Sequence, residues 1–297
     1  MKIYIDGRHY EKEDAKVSVY DHGLLYGDGI FEGIRAYNGR VFALREHLAR
    51  LFNSAKGILL DIPWSKAEVE AAIVDTVRLN GLKDAYIRVV LTRGVGDLGL
   101  DMRKCKRASL IVIADKIALY PEAVYKKGLE VVTSSLRRLS PDQLSPSIKS
   151  LNYLNNILAR AEATRAGCHE AILLNQQGYV SECSGDNIFF LRDGKLFTPP
   201  VWAGILEGVT RNVVIDLVRR KMNLEVLEEM FTCFELYRAE EVFVTGTGAE
   251  VIGVTKIDGR VIGDGQVGPV TKQIIEIFRD YANKNGTPVY QEAGAPI

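Results

Sequence analysis

The chain has 297 residues, enough for two domains or one large domain with a sizeable buried core. Apolar residues make up 47% and charged residues 26%, a composition that excludes a disordered or collagen-like chain. The 38 basic and 38 acidic side chains cancel, so the chain as a whole has no electrostatic attraction for nucleic acid or for an anionic membrane.

Neither a membrane segment nor a metal site is indicated by the sequence. The longest apolar runs, such as residues 110–114, are far too short to span a bilayer. The N-terminal sequence MKIYIDGRHYEKED carries charges where a signal peptide needs an apolar segment, so we expect a cytoplasmic protein. The cysteines form no C-x-x-C pair and the histidines do not cluster, so we expect neither a disulfide framework nor a bound metal.

A hairpin and a helix are the first predicted elements. Residues 30–37 and 40–43 flank Asn38-Gly39, which is a strong turn signal because both residues tolerate a positive φ angle. Residues 45–59 follow with apolar side chains at helical spacing, so we predict a helix there.

A second helix and two strands come next. Ser65-x-x-Glu68 is a capping box, which predicts a helix that begins there and ends near Asn80-Gly81. Residues 85–92 and 108–114 have the composition of strands.

A change of composition marks a domain boundary. The stretch 117–128 contains Pro121 and ends in Lys126-Lys127-Gly128, which is typical of a connection. We therefore predict a small N-terminal α/β domain over residues 1–117, a linker over 118–128 and a larger C-terminal cofactor-binding domain over 129–297.

Strands and helices alternate irregularly beyond the linker. In chain order we predict a strand 129–134, a helix 151–166, a strand 170–175, a hairpin at Asp193-Gly194, a helix 210–221, a strand 241–245, a hairpin at Asp258-Gly259 and a helix 269–283. Because strict βαβ alternation is lacking, the pattern favours an α+β (mixed α/β) chain of two domains over a doubly wound sheet.

Lys149 is the lysine with the least charged surroundings. It lies in SPSIKSLNYLNN (145–156), at the end of a proline-containing loop where we expect a helix to begin. Partial desolvation and nearby helix-start amides would lower its pKa and let the amine act as a nucleophile or base. A solvated lysine at a helix start is the alternative.

Glu182 lies between an apolar strand and a turn of small residues, with another apolar strand after it. A glutamate in this position is either a solvated turn residue or a carboxylate directed at a positive group. The residues alone leave both interpretations open.

Three segments are suited to an anion. Gly208-Val209-Thr210 should open a helix with its N–H groups facing outward, and residues 245–250 (TGTGAE) offer flexible glycines and hydroxyls after a strand. Each could instead be an ordinary cap or turn. Arg50 lies on the first long helix, where the alternative is a surface charge. No segment fits a P-loop or a G-x-G-x-x-G motif.

A Schiff-base lysine, a carboxylate and an anion cup together are what pyridoxal phosphate requires. At this point the chain resembles the class IV, fold type IV pyridoxal-phosphate aminotransferases, and among them the branched-chain amino acid aminotransferases. The motifs that carry the resemblance occur in order over nearly the whole chain: YGDGIFEGIRAY (26–37), REHLARL (45–51), AYIR (85–88), KSLNY (149–153), ECSGDN (182–187), GVTR (208–211) and GTGAE (246–250).

The resemblance implies a role for each cofactor residue. Lys149 would bind pyridoxal 5′-phosphate covalently and move the proton at the substrate α-carbon, Glu182 would keep the pyridine nitrogen protonated, and Tyr153 would bind the 3′-oxygen. The phosphate would be held by Arg50, Val209, Thr210, Gly246 and Thr247.

The resemblance also implies a substrate pocket at a dimer interface. Tyr86, with the N–H groups of Thr247 and Gly248, would hold the α-carboxylate, and Arg88 the second carboxylate of glutamate. Tyr26 and Phe31 would line the side-chain pocket, and Leu100 would approach from a neighbouring subunit of a homodimer or higher oligomer. Ordinary core packing is the alternative for Phe31, Tyr86 and Leu100.

The implied activity is transamination of leucine, isoleucine or valine with 2-oxoglutarate, by a ping-pong mechanism through pyridoxamine phosphate. A D-amino acid aminotransferase or an R-selective amine transaminase of the same fold is the alternative, and a binding protein without turnover belongs to a different class. Asp186 and Gly248 depart from the commonest family pattern, in which glutamate and alanine are frequent, and this leaves the substrate range less certain than the reaction.

Overall fold

The computed structural model describes residues 1–116 and 120–290, which form two compact units. The first contains residues 1–116, 148–152 and 281–290, and the second contains residues 120–147 and 153–280. Both combine helices and strands, which confirms the predicted α+β class. Residues 118 and 119 of the predicted linker and residues 291–297 lie outside the described residues, and helix α4 (Glu122–Lys127) occupies part of the linker.

An antiparallel sheet is the centre of the first unit. Its strands are β1 (Lys2–Ile5), β2 (Arg8–Glu11), β3 (Gly29–Tyr37), β4 (Arg40–Val41), β5 (Ala85–Thr92), β6 (Ser109–Asp115) and β16 (Thr287–Pro288). Neighbouring strands follow the order β16, β4, β3, β5, β6, β1, β2. The long central strand β3 therefore pairs with β4 on one edge and with β5 along the other.

The helices of the first unit are α1 (His22–Tyr26), α2 (Leu44–Gly57) and α3 (Lys66–Leu79). The predicted turn is confirmed: Asn38 and Gly39 have φ angles of 47° and 76°, as the connection from β3 to β4 requires. The capping box of α3 is also confirmed, and buried side chains of α2, α3 and the sheet form one apolar core.

A larger mixed sheet is the centre of the second unit. Its strands are β7 (Leu129–Arg137), β8 (Glu170–Leu174), β9 (Val180–Cys183), β10 (Asn187–Arg192), β11 (Lys195–Thr198), β12 (Val226–Glu228), β13 (Glu241–Gly246), β14 (Glu250–Ile257) and β15 (Arg260–Val261). Neighbours follow the order β12, β11, β10, β13, β14, β7, β8, β9, and β15 pairs with β14. Strand β7 is parallel to both of its neighbours, whereas β10 is antiparallel to both of its own.

The later helices are α4, α5 (Pro141–Leu144), α6 (Leu154–Arg165), α7 (Val209–Leu217), α8 (Cys233–Tyr237) and α9 (Pro269–Lys284). A π-helical turn, Val218–Met222, continues α7 to the predicted end of that helix. The hairpins at Asp193-Gly194 and Asp258-Gly259 are confirmed by their pairing and positive φ angles.

The prediction that Lys149 lies at a helix start is wrong. Helix α6 begins only at Leu154, and residues 149–151 are extended beside the start of β3. The N–H of Phe31 donates to the carbonyl of Lys149 at 2.9 Å, and the N–H of Leu151 donates to the carbonyl of Gly29 at 2.9 Å. Pairing with a strand therefore takes the place of the first helical turn.

Across residues 1–116 and 120–290, the structure holds no helix that combines the length and apolarity needed to cross a membrane.

Replacement of Ser65 by alanine should lower the free energy of unfolding by about 1 kcal/mol, because the side chain caps α3. The Ser65 hydroxyl accepts from the N–H of Glu68 at 3.2 Å, and the Glu68 carboxylate accepts from the N–H of Ser65 at 2.7 Å. Urea denaturation measures the loss. The control is Glu70→Ala on the same helix, and equal losses in the two variants would contradict the prediction.

Candidate active site

A buried carboxylate joins strand β3 to helix α2. Oε1 of Glu32 accepts from Nε of Arg50 at 2.8 Å, and Oε2 accepts from Nη2 of Arg50 at 2.8 Å. Nδ1 of His47 lies 2.8 Å from the same Oε2. We call these three side chains the Glu32 cluster. Because the cluster uses the Nε–Nη2 edge of the guanidinium, Nη1 lies on the edge opposite Glu32.

The Glu32 cluster is ionised at its carboxylate. Burial by itself would raise the pKa of Glu32, but the positive charge and hydrogen bonds of Arg50, with those of His47, outweigh burial and lower that pKa to about 2. Burial lowers the pKa of His47, although the neighbouring Glu32 opposes this. The Arg50 side chain is only 13% exposed, so the surface-charge alternative for Arg50 is wrong.

Sequence reasoning missed the roles of Glu32 and His47. The available signal was an acidic residue in the otherwise buried strand Gly29–Tyr37. A charge in such a strand needs a partner, but the sequence does not say which of the neighbouring cations supplies it.

Lys149 is fixed through its backbone on two sides. Its carbonyl accepts from Phe31 on β3, and its N–H donates to the hydroxyl of Ser54 on α2 at 3.1 Å. Its Nζ lies 4.7 Å from the centroid of the Phe31 ring. The amine is therefore held against an aromatic face by two anchored elements.

Tyr86 and Arg88 lie on the same face of β5, as their spacing predicts. The Cζ atom of Arg88 is 4.3 Å from the centroid of the Phe31 ring and 5.7 Å from that of Tyr86. A Cβ at Gly33 would lie 2.3 Å from the Tyr86 hydroxyl, so the glycine leaves room for this ring. Phe31 thus contacts both Lys149 and Arg88.

Tyr26 and Leu100 lie away from these packed side chains on the surface of the first unit. The Tyr26 hydroxyl accepts from the N–H of Gly99 at 2.9 Å, which ties α1 to the loop that carries Leu100. Leu100 itself is 86% exposed, so core packing is wrong as an account of this residue.

In the second unit, Glu182 is buried at the end of β9 and bound on both oxygens. Oε1 accepts from Nε of Arg138 at 2.7 Å, and Oε2 accepts from the N–H of Leu206 at 2.9 Å. Nδ2 of Asn187 lies 3.5 Å from the same Oε2. The solvated-turn alternative for Glu182 is therefore wrong. Arg138 and Asn187 were missed because the sequence shows only that they end or begin a strand.

Helix α7 begins as predicted at the GVTR motif. Gly208 occupies the N-cap and, as a glycine, offers no capping side chain to the first-turn amides. Val209 and Thr210 are both buried. Such a helix start presents N–H groups and a partial positive charge to an anion.

The GTGAE motif forms the hairpin turn between β13 and β14, where Gly246 pairs with Glu250. A Cβ at Gly246 would lie 2.0 Å from Oδ1 of Asp186, so only glycine fits there. The hydroxyl of Thr245, just before the turn, is buried and has no hydrogen-bond partner among the described residues. Thr247 and Gly248 lie within this turn, and Tyr153 directly precedes α6.

The structure thus gathers the predicted residues into two sets. Lys149, Phe31, Tyr86, Arg88 and Arg50 belong to the first unit, whereas the set around Glu182, α7 and the GTGAE turn belongs to the second. Within the described residues, no three or more His, Cys, Asp and Glu side chains are grouped so that they could hold a metal ion.

Comparison with known proteins places these residues within a family pattern. The model of the family "Amino-transferase class IV" matches residues 29–257. A protein of Methanocaldococcus jannaschii, provisionally named a branched-chain-amino-acid aminotransferase, is 52% identical over 292 residues, which cover 98% of this chain and 100% of that protein.

Two solved structures are similar over almost the whole chain. The branched-chain aminotransferase of Thermoproteus uzoniensis with norvaline has a TM-score of 0.91 and 42% identity, covering 98% of this chain and 99% of its own. A thermophilic relative, the T.th. branched-chain amino acid aminotransferase complexed with N-(5'-phosphopyridoxyl)-L-glutamate, has a TM-score of 0.90 and 39% identity, covering 95% and 94%.

Glu32→Gln should flatten the acid branch of the stability profile. Since the pKa of Glu32 is lowered from 4.5 to about 2 by folding, its ionisation stabilises the parent protein above pH 4.5, and this is lost as the pH falls towards 2. The loss should be on the order of 3 kcal/mol. Urea denaturation at several acidic pH values measures it.

Glu46→Gln, an exposed change on the same helix, is the control and should retain the slope of the parent. Parallel pH profiles for the parent and Glu32→Gln would contradict the prediction.

Proposed function

The chain belongs to the class IV aminotransferases, and on that premise we propose that it transfers the amino group of leucine, isoleucine or valine to 2-oxoglutarate, with pyridoxal 5′-phosphate as its cofactor. The products are the corresponding branched 2-oxo acid and glutamate. Similarity to enzymes named for branched-chain amino acids supports this substrate class over the D-amino acid and R-amine alternatives.

The observation that carries the proposal is the arrangement around Phe31. A lysine amine and an arginine guanidinium both lie over this one ring, and both belong to backbone that is anchored in the sheet. An amine so placed can serve covalent and proton-transfer chemistry, while the guanidinium can bind a carboxylate.

The donor set fits pyridoxal phosphate. Glu182 offers a buried carboxylate for a protonated ring nitrogen, and the start of α7 offers amides for a phosphate. The Thr245 hydroxyl, which has no partner among the described residues, stands directly before the GTGAE turn, where a further acceptor is needed. We assign the phosphate to Arg50, Val209, Thr210, Gly246 and Thr247, and the 3′-oxygen to Tyr153.

Two side chains carry the chemical roles. When bound, the cofactor supplies an electron sink that stabilises the negative charge left on the substrate α-carbon after its proton departs. Lys149 holds the cofactor covalently at rest and then moves that proton. Glu182, kept in place by Arg138 and Leu206, holds a proton at the ring nitrogen.

Substrate recognition must serve two unlike side chains in succession. An apolar side chain gains from contact with Phe31 and Tyr26, at roughly 25 cal/mol per Å² of buried area. The second carboxylate of 2-oxoglutarate requires a cation, which we assign to Arg88, because an unpaired buried charge is costly. Tyr86, with the N–H groups of Thr247 and Gly248, holds the α-carboxylate common to both.

We further propose that the active form is a homodimer or higher oligomer. Helix α1 and the loop 94–100 form one surface, joined by the contact between Tyr26 and Gly99 and by a bridge between Asp21 and Val95. Large apolar side chains are exposed on this surface, including Leu24, Leu98 and Leu100. A second copy of the chain that covers them would bring Leu100 towards a neighbouring substrate pocket.

Lys149→Ala should abolish transamination while the protein still folds. The loss of proton transfer alone should slow turnover by about 10²- to 10⁴-fold. The holoenzyme and the variant are mixed in turn with L-leucine, D-alanine and R-1-phenylethylamine while the visible absorbance is followed. We expect a change only with L-leucine and the parent protein.

Lys126→Ala, an exposed lysine on α4, is the matched control and should behave as the parent. Near-normal turnover by Lys149→Ala would refute the assigned role, and a response to D-alanine or the R-amine instead of L-leucine would refute the substrate class.

Arg88→Leu should weaken the half-reaction with glutamate much more than that with leucine. A charge-assisted hydrogen bond is worth about 1.5–3 kcal/mol, which corresponds to roughly ten- to hundredfold in the glutamate half-reaction. Single-turnover absorbance measures each half-reaction separately. Arg88→Lys, which retains the charge, should lose less. Equal losses for both amino acids would mean that Arg88 serves the α-carboxylate or the fold.

A further inference from the structure

We infer that Asn187 is a positioning residue: it holds the loop of residues 206–208 against Glu182 and so fixes the distance between this carboxylate and the first turn of α7. The inference rests on the proposed function, in which these two groups bind opposite ends of one cofactor. Nothing in the family resemblance assigns Asn187 a role.

Asn187 and Glu182 both bind the backbone of Leu206. Oε2 of Glu182 accepts from the N–H of Leu206 at 2.9 Å, while Nδ2 of Asn187 donates to the carbonyl of Leu206 at 2.9 Å. The same Nδ2 lies 3.5 Å from Oε2 of Glu182, which closes the ring of contacts. Both side chains are buried, so water does not compete freely for these bonds.

The other end of the amide reaches the N-cap of α7. A Cβ at Gly208 would lie 2.0 Å from Oδ1 of Asn187, so the glycine backbone packs directly on this oxygen. Leu206 and Gly208 are thus both fixed by one side chain, two residues apart. Since Gly208 is the N-cap, fixing it fixes the direction in which the amides of Val209 and Thr210 point.

The backbone of Asn187 adds a third connection. In the register of β10 and β13, Asn187 is directly opposite Thr245, the residue before the GTGAE turn. Partners in an antiparallel pair have side chains on the same face of the sheet. Asn187 therefore lies where the Glu182 region, the start of α7 and the GTGAE turn are all referred to one strand.

Only a side chain with a donor and an acceptor at this length meets both demands. Aspartate has the same shape but offers only acceptors when ionised, and it would place a second negative charge beside Glu182. Alanine removes both contacts and leaves the Leu206 carbonyl without this buried donor. The amide is therefore required for polarity as well as for size.

Fixed spacing has a specific consequence for binding. A ligand that uses both Glu182 and the start of α7 gains from a spacing set in advance, because no ordering is left to be done on binding. A ligand that uses only one of the two groups gains much less. The effect of Asn187 should therefore depend on how many ends the ligand has.

The test compares three ligands on the cofactor-free protein: pyridoxal 5′-phosphate, pyridoxal and inorganic phosphate. Asn187→Ala and Asn187→Asp should raise the dissociation constant of pyridoxal 5′-phosphate by about ten- to hundredfold, and those of the two one-ended ligands by much less. Fluorescence titration or equilibrium dialysis gives all three constants. Asn187→Ser serves if either variant fails to fold.

Ile188→Val is the matched control, because Ile188 is the next residue of β10 and lies in the apolar core on the opposite face of the sheet. It should lower the thermal midpoint without changing the ratio of the constants for pyridoxal 5′-phosphate and pyridoxal. A double-mutant cycle adds a second readout: Asn187→Ala should be non-additive with both Glu182→Gln and Thr210→Ala in cofactor affinity.

Each outcome decides the inference. Equal losses for all three ligands, unchanged affinities, or additivity in both cycles would overturn it, while leaving the proposed function intact if the parent protein binds cofactor and transaminates L-leucine. A parent protein that binds no pyridoxal 5′-phosphate would overturn both proposals.

Discussion

The buried ion pair of Glu32 is the contact on which the first unit's share of the site depends. A carboxylate without partners would be too costly at this position, but three hydrogen bonds from α2 stabilise it. They hold α2 against β3, and those two elements carry Ser54 and Phe31, which fix the backbone of Lys149. The positions of the amine, the aromatic ring and the Arg50 guanidinium all follow from this one junction.

The chain contains a second buried glutamate–arginine pair, and the two differ in what the carboxylate binds besides arginine. Glu32 uses both oxygens to bind side chains of one helix, so its effect is to join two elements. Glu182 has one oxygen on Arg138 and the other on the backbone of Leu206. It therefore links a strand end to an irregular loop, and a carboxylate of that kind orients whatever the loop leads into.

Local signals made much of the fold predictable. The Asn38-Gly39 turn and the Ser65–Glu68 box are specified by neighbouring residues, and both are present. Lys149 was placed wrongly because its conformation depends on pairing with Phe31, far away in the sequence, which no local pattern reports. The family motifs located the site residues, but Glu32, Arg138 and Asn187 acquire their partners from strand register, and register is a property of the tertiary fold.

The first unit is discontinuous in sequence, and this determines when it can be completed during synthesis. Its strand β16 is added to β4 by residues 287–288, and its lysine segment joins β3 only after residues 148–152 have emerged. A nascent chain that ends before residue 148 contains most of this sheet but not its amine. The unit that begins first on the ribosome is therefore the one that finishes last, and the lysine is buried beside its ring only by closure of a long-range contact.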